Sequence, residues 1–488
     1  MLTHVKHAYR SLVHIMRLVN ILTRTNFMPI PVSLGLLQKF DVAGPRYTSY
    51  PTADRFVEAF GDEEYKRTLA QRFNEEGARP QPLSLYVHIP FCDSLCYYCA
   101  CNKVITKHHS RSAEYLRYLA LELALHTDLI GKGRVVSQLH LGGGSPTFMN
   151  DEELGSLMVL LQQHFQLAPG AELSIEVDPR TVDVARIDAL ARMGFNRLSF
   201  GVQDFDPAVQ KAVHRVQPAE QVFTLVHAAR ERGFESINVD LIYGLPLQSP
   251  ASFDRTLAQI TDLRPDRIAL YGYAHLPQRF KPQRRINDAE LPTASAKVAM
   301  LARSLEALLA VGYVYVGMDH FALPNDPLAV AKRQGRLHRN FQGYSTQPDC
   351  DLIALGVSSI GRVGATYSQN AKTLDDYYDL LNHGRFPVVR GLALTRDDLL
   401  RRAVIMAIMC QGAVHFESIA LAYLVDFQRY FATELEALKP LAEQGMVAVD
   451  ADSIEVTDTG WFFVRAVAMV FDRHLQANLH LNRFSKIL

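Results

Sequence analysis

Four of the six cysteines of the chain, Cys92, Cys96, Cys99 and Cys101, fall within ten residues of the stretch "YVHIPFCDSLCYYCACNK" (86–103). A thiol set this dense can bind a metal, exchange electrons as a dithiol, or carry an iron-sulfur cluster. Structural zinc takes four ligands from two separated pairs, and no second Cys/His pair stands here at zinc-finger distance. Cys96 and Cys99 form a CxxC, but a thioredoxin-like pair opens a helix after a strand and has no use for the flanking thiols. The spacing Cys92-x3-Cys96-x2-Cys99 places three thiolates on one tight loop. That is enough to hold three irons of a cubane while the fourth iron keeps an open position for a cofactor or substrate. Cys101, two residues beyond Cys99, is read as lying outside the cluster.

These cysteines need a scaffold, and the pattern around them supplies one. From Leu85 onward, short β-rich runs alternate with longer stretches of helical periodicity, which argues for βαβ units and a parallel sheet. Six strands are expected, at 85–89, 136–142, 172–178, 197–203, 237–244 and 267–275. Helical segments lie between them at 112–127, 151–166, 219–232 and 251–263. The period suits either a barrel or a doubly wound sheet. Gly142, Gly143 and Gly144, then Glu176, Gln203, Asp240 and Tyr243, all fall at the carboxyl ends of these strands, the edge where both architectures bind ligands. After about residue 320 the alternation fades, and 395–410, 427–445 and 460–475 read as helices. Strand-like "MVAV" and "SIEV" resemble the wing of a winged-helix unit; without a basic stripe, packing over the barrel is the expected role.

The 488 residues carry 51 Lys+Arg against 51 Asp+Glu and are 48% apolar. The length supports more than one core, and the balance gives no sign of nucleic acid as the main partner. No apolar run has the roughly 18 or more residues of a membrane span. Six cysteines in so large a chain suit a reducing cytoplasm rather than a disulfide framework. Residues 1–27 hold Lys6, Arg10, Arg17 and Arg24 and no acidic residue, the composition of a targeting peptide. Met28 opens an ordinary-looking start, so residues 1–36 are read as a basic tail or an over-called start. The remaining divisions are an N-terminal segment (37–83), the barrel with its cluster loop (84–320), a linker that covers the site (321–375) and a helical C-terminal domain (376–488).

CxxxCxxC on a loop after the first strand resembles the signature of the radical S-adenosylmethionine enzymes. In that family the three cysteines hold a 4Fe-4S cluster, the amino and carboxylate groups of S-adenosylmethionine chelate the fourth iron, and reduction yields a 5′-deoxyadenosyl radical. The resemblance implies an α/β fold, a partial (β/α)6 barrel with an N-terminal segment and a mainly helical, winged-helix-like C-terminal domain. "GGGSPT" (142–147) resembles the glycine-rich loop that meets the methionine end of the cofactor, and the resemblance narrows to the oxygen-independent coproporphyrinogen III oxidases through "GPRYTSYPTA" (44–53), "HIPFCDSLCYYCACNK" (88–103), "LSIEVDPR" (173–180), "YAHLP" (273–277), "LHRNFQGYSTQ" (337–347) and "MVFDR" (469–473). These segments run in family order across nearly the whole chain from about Leu37.

Carried over residue by residue, the resemblance implies Cys92, Cys96 and Cys99 as cluster ligands. Tyr86, Tyr98, Ala100, Gly143, Gly144, Ser145, Glu176, Gln203, Arg215, Asp240, Ala274 and Ile360 then meet two molecules of S-adenosylmethionine. Gln342 lies near the second, and Cys101, Tyr86 and Gln342 serve the chemistry. Tyr98 and Ala100 replace the Phe and Gly of better-known members, and Ser145 replaces a Thr. The implied reaction turns two propionates of coproporphyrinogen III into vinyl groups, giving protoporphyrinogen IX, with an electron donor and a terminal acceptor as partners and the enzyme acting as a monomer. Arg46, Arg279, Lys281, Arg284, Arg285 and Arg339 are candidates for holding the substrate carboxylates, with His88, His338, Tyr243, Tyr271 and Tyr273 near the site. The alternative is a haem chaperone of the same fold. That relative typically has Phe in place of Cys101 and lacks the 44–53 segment.

Overall fold

The computed structural model describes residues 34–40, 42, 44–74 and 82–476. The basic tail proposed at 1–36 falls almost entirely outside them. Six βα units build the centre of the molecule. They are β1 (Leu83–Ile89) with α1 (Ser110–Ile130), β2 (Arg134–Gly143) with α2 (Asp151–His164), and β3 (Phe165–Val177) with α3 (Val184–Arg192). β4 (Arg197–Gln203) with α4 (Ala219–Glu231), β5 (Ser236–Tyr243) with α5 (Pro250–Leu263), and β6 (Arg267–Gly272) with α6 (Ala294–Ala310) complete the set. The six strands pair in parallel in chain order. At the far edge β7 (Val314–Gly317) and β8 (His320–Ala322) add an antiparallel hairpin next to β6.

Each strand is two-faced. Leu85, Val87, Ile89, Leu139, Leu141, Ile175, Phe200, Val239, Leu241, Ile268 and Leu270 are buried outward against the helices. The alternate residues point inward and most of them are polar, so the interior forms layers set by the register. In the lowest layer Ser84 donates to Gln138 (3.0 Å), Gln138 donates to Glu172 (2.8 Å), and Glu172 pairs with Arg197. One layer up, Tyr86 stacks on His140 (5.9 Å), which bonds Ser174 (2.6 Å), while Ser199 and Asn238 donate to Asp240 (3.3 and 2.9 Å). A period of two in which every second residue is polar thus records a lined cavity.

The loss of alternation after residue 320 conceals four further strands. β9 (Leu352–Leu355) joins β1 in parallel, and β10 (Ile360–Val363), β11 (Thr366–Asn370) and β12 (Val388–Ala393) follow antiparallel, so the sheet runs β12-β11-β10-β9-β1-β2-β3-β4-β5-β6-β8-β7. The region read as a linker therefore contributes β9, β10 and β11 to the sheet, and β12 lies inside the stretch assigned to the helical domain. These strands are four to six residues long, and hairpins rather than helices join β9, β10 and β11. The βα rhythm that marks the others is absent. Glu122 of α1 locks them on, accepting from Gly356 N (2.7 Å), Asn370 Nδ2 (2.7 Å) and Tyr377 Oη (2.6 Å). Burial pushes its carboxyl up to about 7 despite those donors.

Beyond residue 395, α7 (Arg396–Gln411) leads into a small antiparallel sheet of Ala413–His415, Val447–Val449 and Ser453–Val456. This unit packs back on the barrel: Trp461 Nε1 donates to Val316 O (3.0 Å) and Tyr344 Oη to Met409 O (2.8 Å). Its core is continuous with Leu37, Tyr47 and Tyr50 of the N-terminal segment.

Candidate active site at the carboxyl edge of the barrel

The cysteine loop leaves β1 at Pro90 and is pinned at its base, where Phe91–Cys92 pairs with Val104–Ile105. Val104 N donates to Pro90 O (2.7 Å) and Thr106 N to Cys92 O (3.0 Å). Within it a turn brings Cys99 N to Cys96 O (3.2 Å). Burial pushes the Cys92 thiol up to about 12, and the nearby Cys99 and Cys96 thiols add to that shift. Cys96 is buried and receives two guanidiniums at Sγ, Nη2 of Arg180 and Nη1 of Arg215, each at 3.5 Å. Asp178 bridges the two arginines (2.7 Å to Arg180, 3.2 Å to Arg215). Burial opposes its ionisation, but Arg215 and Arg180 outweigh it and hold the carboxyl down at about 2. Cys101, two residues beyond Cys99, is exposed, and its interaction with Cys99 draws the Cys99 thiol down to about 6 while its own thiol is driven up.

The glycine run sits directly behind this loop. Gly144 N donates to Ile89 O (2.8 Å) and Ser145 N to Phe91 O (2.9 Å). Contact is so close that a Cβ on Gly144 would lie 2.6 Å from Pro90 O and 2.8 Å from Phe91 O. Gly143 has φ +119°, and a Cβ there would meet the His88 ring at 2.7 Å. Glycine is required at both by contact, and at Gly143 by conformation as well. Glu176 accepts from Gly143 N (3.1 Å) and lies 3.5 Å from His140 Nε2. Burial works against its charge, yet these bonds keep its carboxyl below the usual range. Across the cavity, burial first and Glu176 second push Asp240 up to about 7.

Around this edge the structure gathers Tyr86, Tyr98, Ala100, the Gly143–Ser145 strip, Glu176, Gln203, Arg215, Asp240 and Ala274. The Tyr98 and Ala274 carbonyls both accept from Gln283 (3.0 and 3.2 Å), which ties the cysteine loop to the segment after β6. Ala100 has no positive φ, so its methyl is accommodated without backbone strain. Ser145 bonds Thr147 (3.2 Å) through its hydroxyl. Ile360 opens β10, where the chain turns back from the carboxyl end of β9. Gln342 arrives from another direction, in the turn of the ribbon His338–Asn340 and Gly343–Ser345, and both polar atoms of its amide are buried without partners. The basic candidates divide. Arg279, Lys281, Arg284 and Arg285 are exposed, whereas Arg46 and Arg339 face inward. Sequence reasoning passed over His140, Asp178 and Arg180. The first lies two residues before Gly142 on the same strand face, and the others stand inside "EVDPR".

Among the described residues, no three His, Cys, Asp or Glu side chains form a site for a single metal ion. The donor set on the loop is three thiols, and a soft set of this kind suits an iron-sulfur cluster. The neighbouring ionised carboxylate and aromatic wall fit a zwitterionic nucleoside cofactor.

A partial parallel barrel with a three-thiol loop on its carboxyl edge defines a radical S-adenosylmethionine protein, and residues 86–260 match the model of the Radical SAM superfamily. Residues 394–463 match the HemN C-terminal domain. The chain belongs to the family of oxygen-independent coproporphyrinogen III oxidases. It is 48% identical over 455 residues to the protein of that name from Pseudomonas aeruginosa, covering 93% of this chain and 98% of the relative. It is 47% identical to that from Escherichia coli with the same coverage. The crystallised Escherichia coli coproporphyrinogen III oxidase, described as a radical SAM enzyme, superimposes with a TM-score of 0.86 over 92% of this chain and 100% of the other, at 46% identity. These matches give no support to the haem-chaperone alternative.

Proposed function

We propose that this protein catalyses the anaerobic oxidative decarboxylation of two propionates of coproporphyrinogen III to vinyl groups, giving protoporphyrinogen IX. One observation carries the reading. In a chain that aligns almost end to end with oxidases of that name, the three-thiol loop, the glycine strip and Glu176 form one continuous cradle.

The propionate β-C–H bond is unactivated, and none of the side chains gathered here is a base strong enough to break it. When bound, the cluster and S-adenosylmethionine supply a carbon radical for that abstraction. Cys92, Cys96 and Cys99 hold the cluster, and Arg180 and Arg215 set positive charge and N–H donors against the Cys96 sulfur. Glu176 offers an acceptor to the cofactor's amino-acid end, and the Gly143–Ser145 strip, whose N–H groups are bonded to Glu176, Ile89 and Phe91, fixes that carboxylate against the cysteine loop. Asp240, whose carboxyl burial pushes up to about 7, can accept from or donate to a hydroxyl. Tyr86, held by His140 and His88, forms the wall, and Cys101 stands beside Cys99 at the open side. For each propionate, removal of one hydrogen atom from the β-carbon, departure of carbon dioxide and transfer of one electron to an acceptor leave the vinyl group. Two propionates need two abstractions, so we assign two cofactor molecules, the second beside the unsatisfied Gln342 amide. A cytoplasmic, monomeric enzyme served by a separate electron donor completes the reading; among the described residues no helix is long and apolar enough to cross a membrane.

The expected outcome of anaerobic incubation with S-adenosylmethionine, a low-potential reductant and coproporphyrinogen III is protoporphyrinogen IX, detected as the porphyrin after oxidation and chromatography. Cluster-loaded protein that cleaves S-adenosylmethionine but leaves the tetrapyrrole intact would refute the substrate assignment.

A further inference from the structure

Beside the Asp240 end of the cavity, basic side chains from three distant segments meet around one aspartate. Arg46 comes from the N-terminal segment, Arg339 from the ribbon and Arg465 from the helix Val464–Met469; Asp319 lies in the turn between β7 and β8. Arg46 Nη1 donates to Asp319 Oδ2 (2.5 Å), and its guanidinium lies 5.2 Å from the centre of the Tyr271 ring. Arg339 sits over Tyr344 (4.6 Å) and donates through Nε to Arg46 O (3.2 Å). Its Nη1 is buried with no partner. Arg465 is buried and donates to the carbonyls of Gly44 and Pro45. Burial, then repulsion from Arg46, lowers it to about 10. His320 lies edge-on to both Tyr271 (6.1 Å) and Tyr344 (5.6 Å), and its Nδ1 is also buried without a partner.

Arg46 and Arg339 therefore stand together with Asp319 bonded to Arg46 alone, and Arg339 keeps a buried donor without a partner in surroundings where such a group is expensive. An anion would relieve that cost, and the cluster is open to receive one: the Arg46 side chain is 33% exposed while Asp319 is 15% exposed. Tyr271 feels both Asp240 and Arg46, which places this corner next to the cofactor cradle. The exposed arginines after β6 have no comparable confinement.

We infer that Arg46, backed by Arg339 and flanked by Tyr271 and His320, forms a carboxylate-binding subsite that takes a propionate of the tetrapyrrole. The inference rests on the substrate class proposed above. The same chemistry could come from the methionine carboxylate of S-adenosylmethionine, so the test separates the two sources.

Anaerobic, cluster-loaded wild type, Arg46→Gln and Arg46→Lys are compared, with cluster absorbance as the check on folding. Absorbance titration with coproporphyrin III, a coloured tetracarboxylate, and with its tetramethyl ester reads binding without turnover. KM values for coproporphyrinogen III and for S-adenosylmethionine are read in parallel. A hydrogen-bonded charge pair lost from a partly buried site corresponds to a loss of about 10-fold or more. We expect Arg46→Gln to weaken coproporphyrin III binding and raise the coproporphyrinogen KM by that factor, with Lys recovering part of it. The tetramethyl ester should bind wild type and variant alike. Unchanged tetracarboxylate binding in cluster-loaded Arg46→Gln would overturn the subsite, and a change confined to S-adenosylmethionine would overturn its assignment to the tetrapyrrole. Failure of the wild type to convert coproporphyrinogen III would count against the proposed reaction, while the titration would still decide the subsite.

Discussion

Cys92→Ser, Cys96→Ser and Cys99→Ser are each expected to yield protein whose iron falls from about four atoms per chain to near zero, and with it all cleavage of S-adenosylmethionine. Removing one of three protein ligands leaves a cubane held at two corners, and a serine hydroxyl is a poor replacement for a soft thiolate. Cys101→Ser is expected to differ. Cys101 is exposed and lies outside the three-thiol set, so iron and visible absorbance should be retained while vinyl formation slows. Iron analysis and absorbance on anaerobically purified variants distinguish the two classes. If Cys101→Ser lost iron as fully as the other three, four protein ligands would be engaged and no iron would be left open for the cofactor.

Gly144→Ala should be nearly as damaging, although no functional atom is removed. The added methyl meets the Pro90 and Phe91 carbonyls at 2.6 and 2.8 Å, and both are backbone atoms on the approach to Cys92. Neither can rotate away, so relief requires the glycine strip and the cysteine loop to separate, breaking the Gly144 N to Ile89 O and Ser145 N to Phe91 O bonds. Overpacking of this kind costs about 1–3 kcal/mol or more, and here it falls on the contact that aligns cluster with cofactor. We expect reduced iron occupancy, a loss of S-adenosylmethionine affinity of at least about 10-fold and a lower melting temperature. Gly155→Ala is the control. It lies in α2 with no atom within 4 Å of the added methyl, and should be neutral or stabilising by up to about 1 kcal/mol. Equal behaviour of the two variants would mean that the close approach behind the cluster loop does not matter.

The legible parts of the molecule are those built from local repetition. Leu85, Val87 and Ile89 alternate with Ser84, Tyr86 and His88, the next four strands carry the same alternation, and the helices between them show their own period. The six βα units can therefore be found without tertiary information, and the glycine triplet, Glu176 and Asp240 then fall on one edge. β9 to β12 escape the same reasoning because they are short and lack crossover helices. Parts of the site escape for a different reason. Arg46 and Arg339 are legible only as two of six unranked basic candidates, and Asp319 and Arg465 are not marked at all; the four are separated by up to 419 positions, being residues 46 and 465 of the chain, and nothing in their local sequence marks them as neighbours. The orphaned amide of Gln342 and the paired guanidiniums on Cys96 are properties of packing, visible only once the distant segments are assembled.

The central step is the departure of a hydrogen atom from a propionate β-carbon under the direction of this cradle. The most direct measurement uses coproporphyrinogen III deuterated at the propionate β-positions, turned over anaerobically by the cluster-loaded protein, with mass analysis of the recovered 5′-deoxyadenosine. The account predicts deuterium in the 5′-deoxyadenosine together with vinyl groups in the tetrapyrrole. Vinyl product accompanied by unlabelled 5′-deoxyadenosine would contradict it.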